Sequence, residues 1–191
     1  GLTPHIRDVA RRAALDTGFI ALAPDWLSPQ GGTPTDEDKA RQMIGALDRA
    51  KAVADGVAAI DHVRDFQPAN GKVGVTGFSW GGGMTNALAV AAGKRFRAAV
   101  PFYGPAPADL TKVPDIKAEL LIHLAGNDER INAAYPAYRA ALDAAKARYT
   151  LFDYPGTQHA FHNDTSAARY DKAAAELAWS RTVEFFKRTL R

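Results

Sequence analysis

A Gly-x-Ser-x-Gly turn wedged between a short apolar run and a small-residue helix leaves this chain few architectures. Gly77-Phe78-Ser79-Trp80-Gly81 spells the motif, and Gly82 and Gly83 follow. Gly71 to Thr76 reads as a short buried strand, and Met84 to Ala92 as a helix. A serine forced through a sharp strand-to-helix turn projects its hydroxyl above the edge of a sheet. Such a turn is strained, so its flanks favour residues with no Cβ. The serine also lies at a helix N-terminus, where free N–H groups can receive a developing negative charge.

The remaining sequence supplies the sheet. Residues 4–16 fit a helix capped by Thr3, with Pro4 at its first position and Gly18 as its stop. Phe19-Ile20-Ala21-Leu22-Ala23 is continuously apolar, the mark of a strand buried on both faces. Residues 28–35 form a loop, and 36–66 a helix bent or split near Asp48 to Ala52. Further strands are expected at 72–76, 98–104, 119–125 and 148–154, with helices over 132–147 and 166–190. The last helix would bury Ala175, Trp179, Val183, Phe186 and Leu190. Apolar strands alternating with helices imply an α/β fold, a mostly parallel sheet with helices on both faces. No repeat or linker divides residues 1–191, which read as a single domain.

Catalytic groups in such sheets gather beyond the carboxyl ends of the strands. Ser79, Asp128 and His159 each follow a strand, in the chain order Ser, Asp, His expected of α/β-hydrolases. A neutral hydroxyl is a poor nucleophile, so an imidazole must take its proton. A carboxylate behind the imidazole fixes the tautomer and stabilises the imidazolium. The Trp80 N–H is the candidate oxyanion donor. Asp128 has a second reading as the cap of the helix after it, and His159 as an ordinary loop histidine. Asp153 and His162 are rivals for the acid and the base, and His123 reads as a packed core histidine. His159, His162 and Asp164 match no standard zinc spacing. Trp26, Tyr103 and Phe161 are candidates for a substrate pocket.

Composition narrows the partners. Hydrophobic residues make up 47% and charged residues 24%, with a net charge of +3. Lys and Arg are interspersed with Asp and Glu, so no basic stripe offers itself to nucleic acid. No apolar run approaches a membrane span. The absence of cysteine excludes disulfides, cysteine-ligated zinc and a thiol nucleophile, and leaves the compartment open.

Five motifs in order carry a resemblance: Ala23-Pro24-Asp25, Gly77 to Gly82, Phe102-Tyr103-Gly104, Gly126-Asn127-Asp128 and His159-Ala160-Phe161. Over essentially its whole length the chain resembles the dienelactone hydrolase family (carboxymethylenebutenolidases) of the α/β-hydrolase superfamily. The resemblance implies a nucleophile at Ser79, an acid at Asp128, a base at His159 and an oxyanion donor at the Trp80 N–H. The activity it implies is hydrolysis of a small-molecule carboxylic ester or lactone. No metal or organic cofactor is expected, nor a nucleic-acid or membrane partner. The chain would act as a monomer or homodimer.

Three departures stand out. The best-known members use cysteine where this chain has Ser79. An arginine that helps bind the substrate carboxylate in those members would fall near Asn163; Arg41 is a weak counterpart of a second. Members also carry strands before the helix that begins at Pro4. One of these lies between the counterparts of 19–23 and 72–76, and its end supplies the second oxyanion N–H. The natural protein is therefore expected to extend beyond Gly1. Two alternatives stay open: another acyl hydrolase of this fold, such as a thioesterase or peptidase, or a non-catalytic homologue used for binding.

Overall fold

A computed structural model describes all of residues 1–191. Helix α1 (Pro4–Thr17) starts where the Thr3 hydroxyl accepts the Ile6 N–H at 3.3 Å. It ends where Gly18 turns left-handed and donates to Ala14 O. The expected long helix is split into α2 (Glu37–Gly45) and α3 (Arg49–Asp65). Asp48 caps the second piece by accepting the Lys51 N–H at 2.7 Å. The chain then runs through β1 (Gly74–Phe78), α4 (Trp80–Ala92), β2 (Ala98–Phe102) and β3 (Glu119–Ala125). It continues through α5 (Glu129–Asn132), α6 (Tyr135–Ala144), β4 (Tyr149–Tyr154) and α7 (Lys172–Leu190).

The four strands form one parallel sheet in the order β1-β2-β3-β4. Helix α4 covers β1 and β2 on one face, with α3 against it; α7 covers β2 and β3 on the other, with α1 against α7. Each face has its own apolar core. Parallel strands sandwiched this way must be apolar on both sides, and β2 is buried at every position. Every strand's carboxyl end points the same way, so the turns after β1, β3 and β4 share one rim. No helix is long and apolar enough to cross a membrane.

Three expectations need correction. Residues 19–23 run without strand assignment or sheet partner, and Ile20 and Leu22 are 50% and 48% exposed. A strand exists only through its ladder, and β1, the edge of the sheet, bonds to β2 alone. Apolar character here marks a place for a strand without supplying its neighbour. The last helix begins at Lys172 rather than Ser166, because Asp171 is its cap, accepting the Ala174 N–H at 3.0 Å. Of its expected stripe Ala175, Phe186 and Leu190 are buried, whereas Trp179 and Val183 are only half-buried and Ala174, Ala178, Thr182 and Phe185 are buried beside them. Finally, the helix expected over 132–147 is broken into α5 and α6.

Candidate active site

The elbow is built by close backbone approach. Ser79 takes φ 55° and ψ −114°, a conformation that L-residues avoid. Its N–H donates to Phe102 O at 3.0 Å, extending the β1 ladder by one bond. Its C=O accepts the Gly83 N–H at 3.0 Å, the first bond of α4. A Cβ on Gly77 would land on the Gly81 carbonyl, and one on Gly82 would lie 2.5 Å from Phe102 O. Gly81 would meet nothing within 4 Å. The steric need therefore falls on Gly77 and Gly82, one inside the pentapeptide and one beyond it. The Trp80 N–H opens α4, where no preceding turn supplies an acceptor. The Trp80 ring meets Trp26 edge to face at 5.7 Å, and Trp26 is fixed by donating from Nε1 to Ala52 O at 2.8 Å.

Asp128 follows β3 and is 6% exposed. It caps a helix and faces a histidine at the same time. One oxygen accepts the Ile131 N–H as the α5 cap, and the other faces Nδ1 of His159. His159 follows β4, and its Nε2 lies 2.8 Å from Ser79 Oγ. A carboxylate cannot donate, so Nδ1 carries the ring proton and leaves Nε2 bare to accept from the serine hydroxyl. Ser79, His159 and Asp128 thus form a continuous hydrogen-bonded chain from turns after three different strands.

The surroundings hold this chain under strain. Four non-glycine residues have positive φ, and three lie here: Ser79, Tyr103 at 35° and Ala160 at 71°. Tyr103, expected to line a pocket, is 1% exposed. Its N–H donates to His123 O at 2.7 Å, and its ring stands edge-on to His159 at 5.2 Å. Burial pushes its phenol far above the ordinary tyrosine range. Phe161, also expected in the pocket, is 0% exposed and packs between Tyr103 and Tyr154. Tyr103 backs the His159 ring, and Phe161 backs Tyr103, because the chain after His159 folds back into the core. Trp26 is the one pocket candidate that stays half-exposed.

The rivals lie elsewhere. Asp153 faces solvent on β4. His162 is buried and stacked on Phe78 at 5.0 Å, with its pKa lowered by burial to about 4. His123 is wholly buried: Nε2 pairs with Thr182 Oγ1 at 3.1 Å and Nδ1 with the Tyr154 hydroxyl at 2.9 Å. Desolvation brings its pKa to about 3. Asp164 is engaged by Arg12 at 2.5 Å and lies 3.4 Å from His5. No group of three or more His, Asp or Glu gathers to hold a metal ion. Arg41 is exposed and paired with Asp38 and Glu37, and Asn163 turns its side-chain oxygen to Thr165.

Gly104 and Gly126 carry no sequence signal beyond their place in short motifs, yet both are pressed against backbone. Thr157 had no signal at all, although it bonds to the turns on both sides of the Asp128–His159 pair.

Comparison with known proteins follows the same lines. A family model described as "Dienelactone hydrolase family" matches residues 1–190. A protein of Escherichia coli (strain K12) named "Putative carboxymethylenebutenolidase" is 34% identical over 201 residues, covering 98% of this chain and 73% of that protein. One of the same name from Saccharolobus solfataricus is 30% identical, covering 98% of this chain and 85% of that protein. Among solved structures, that titled "Putative Dienelactone Hydrolase" from Klebsiella pneumoniae superposes with a TM-score of 0.85 at 27% identity. It covers 97% of this chain and 82% of that one. Fold, motif order and whole-chain similarity agree: the chain belongs to the dienelactone hydrolase family.

Proposed function

We propose that this chain is a serine hydrolase that cleaves a carboxylic ester or lactone through an acyl-enzyme. One observation carries the reading: Ser79 Oγ, the His159 ring and the Asp128 carboxylate are joined by consecutive hydrogen bonds. A protein that only binds its ligand has no need of that relay. In the first half-reaction His159 Nε2 takes the Ser79 proton as Oγ attacks the carbonyl carbon. The tetrahedral oxyanion is received by the Trp80 N–H, within the positive end of α4. The imidazolium, stabilised by Asp128, then gives its proton to the leaving alkoxide. Water repeats the sequence to free the acid and restore the serine. A lactone keeps its alcohol and acid on one product molecule.

Helix α4 supplies one oxyanion donor. The open edge of β1 and the unpaired run at 19–23 support the family-based expectation of a strand between them, within one α/β-hydrolase domain. The end of that strand would bring the second donor. With Arg41 engaged by its own helix and no arginine at position 163, an uncharged ester or lactone suits the site better than an acidic one.

The test is a fluorophosphonate probe, with the adduct located by mass spectrometry. A covalent adduct on Ser79 is expected; a folded sample that remains unlabelled there overturns the serine-hydrolase reading. Comparing p-nitrophenyl acetate, a matched thioester and a dienelactone then separates ester, thioester and lactone hydrolysis.

A further inference from the structure

We infer that Thr157 is a positioning residue, a clamp that joins the turn carrying Asp128 to the turn carrying His159 and so sets the geometry between acid and base. The inference rests on the triad reading above. Thr157 lies two residues before His159 and is 3% exposed. Its hydroxyl has one proton and gives it to the Tyr154 carbonyl, 2.7 Å away at the end of β4. The same oxygen accepts the Gly126 N–H at 3.2 Å. Its own carbonyl accepts the Asn127 N–H at 2.9 Å. Gly126 and Asn127 are the two residues immediately before Asp128.

The Tyr154 carbonyl completes the clamp. It accepts from Gly126 N at 3.0 Å and from Thr157 N at 3.3 Å, in addition to the threonine hydroxyl. The approach is tight enough that a Cβ on Gly126 would lie 2.7 Å from that oxygen. The donor at Gly126 is therefore shared between Tyr154 O and Thr157 Oγ1. Loss of the hydroxyl leaves this N–H one partner, so the protein can fold without it. What it loses is one of three ties between the two turns: the Gly126–Tyr154 and Asn127–Thr157 backbone bonds remain, and the side-chain tie that limits their relative play is gone. The Asp128–His159 hydrogen bond must persist while the imidazole gains and loses a proton, and a misplacement of about 1 Å in such an array can cost on the order of 100-fold in rate.

The test uses Thr157→Val, which keeps shape and removes the hydroxyl, and Thr157→Ser, which keeps the hydroxyl. Two quantities are read on folded samples. One is kcat per active site, with sites counted by the p-nitrophenyl acetate burst. The other is the far-downfield proton resonance of His159 Nδ1–H. T157V is expected to lower kcat per site roughly 10- to 100-fold with KM little changed, and to shift or broaden the resonance. T157S is expected to keep both near wild type. Thr157→Ala removes the same hydroxyl and reads the same quantities should valine not be accommodated. A hydroxyl-free variant with wild-type kcat per site and an unmoved resonance overturns the clamp. So does a T157S variant as impaired as T157V, since shape would then matter instead of the bond. If wild type shows the resonance but no adduct on Ser79, the serine-hydrolase reading fails, while the NMR comparison still decides the clamp.

Discussion

Gly104 lies so close to the peptide joining Gly82 and Gly83 that a methyl group on it would overlap the Gly82 carbonyl carbon. The backbone after β2 thus braces the first turn of α4 directly. Gly104→Ala must push that turn away, and overpacking of this kind costs about 1–3 kcal/mol. The displaced turn carries Ser79, so activity should fall along with the urea midpoint. Gly81→Ala is the contrast: its Cβ meets nothing, and alanine favours a helix, so its midpoint should hold or rise. Equal midpoints for the two variants would refute the brace.

Removing the nucleophile or the acid should separate chemistry from folding. Ser79→Ala should lower kcat on the order of 10⁶-fold. Asp128→Asn should lower it about 10⁴-fold, by favouring the wrong histidine tautomer. Neither change opens a large cavity, so thermal midpoints should stay near wild type. Steady-state esterase kinetics on folded variants provide the check, and S79A with substantial activity would rule out Ser79 as nucleophile.

Two buried histidines should make the fold acid-labile. His123 faces Arg181 and His162; His162 faces His5, Arg12 and Asp164. Burial holds their pKa values to about 3 and about 4, against 6.5 for an ordinary histidine. The sign follows from proton counts. At pH 5 the unfolded chain has both imidazoles protonated and the native chain has neither, so unfolding takes up two protons. Stability is therefore fully present above the ordinary value and declines as pH falls below it. The expected slope near pH 5 is about 2.7 kcal/mol per pH unit. Urea melts at pH 7, 6 and 5 measure it, and His162→Phe should roughly halve the slope. A midpoint flat across this range would contradict the burial of both rings.

The open edge of the sheet should be visible in hydrogen exchange. Ser79 N–H bonds to Phe102 O and Val73 O accepts the Arg97 N–H, so odd-numbered residues of this segment face β2. Alternation then turns the N–H groups of Gly74, Thr76 and Phe78 toward the unpaired side. The Thr76 amide should exchange far faster than those of Val75 and Gly77, and residues 20–22 should exchange equally fast. Uniform protection along β1 would mean that something covers this edge in solution.

The sequence was most legible where one residue type serves one local purpose. Asp48 and Thr3 cap helices, Gly18 ends one, and the strand-serine-helix pattern around Ser79 is local. The order Ser79, Asp128, His159 could be read because each follows an apolar strand whose carboxyl end the parallel sheet sends to one rim. What escaped depends on partners distant in sequence. Residues 19–23 have the composition of a buried strand and lack a neighbour to pair with. Tyr103 and Phe161 sit beside the site in sequence, but the fold turns them inward. In α7, Thr182 is buried because His123 offers it a hydrogen bond, a pairing that hydrophobic periodicity ignores. Thr157 looks like any loop residue until β3 and β4 are placed side by side.

The three groups of the relay do not hang from one support. Asp128 and His159 share the Tyr154 carbonyl as a common anchor through Gly126 and Thr157, whereas Ser79 is held by Phe102 and the first turn of α4. On the proposed serine-hydrolase reading, acid and base form a preassembled cartridge, and the nucleophile is an exchangeable part presented to it across a single hydrogen bond. Swapping the serine oxygen for another nucleophilic atom would leave the cartridge intact. That division of labour would let one scaffold change its attacking atom without rebuilding its proton relay.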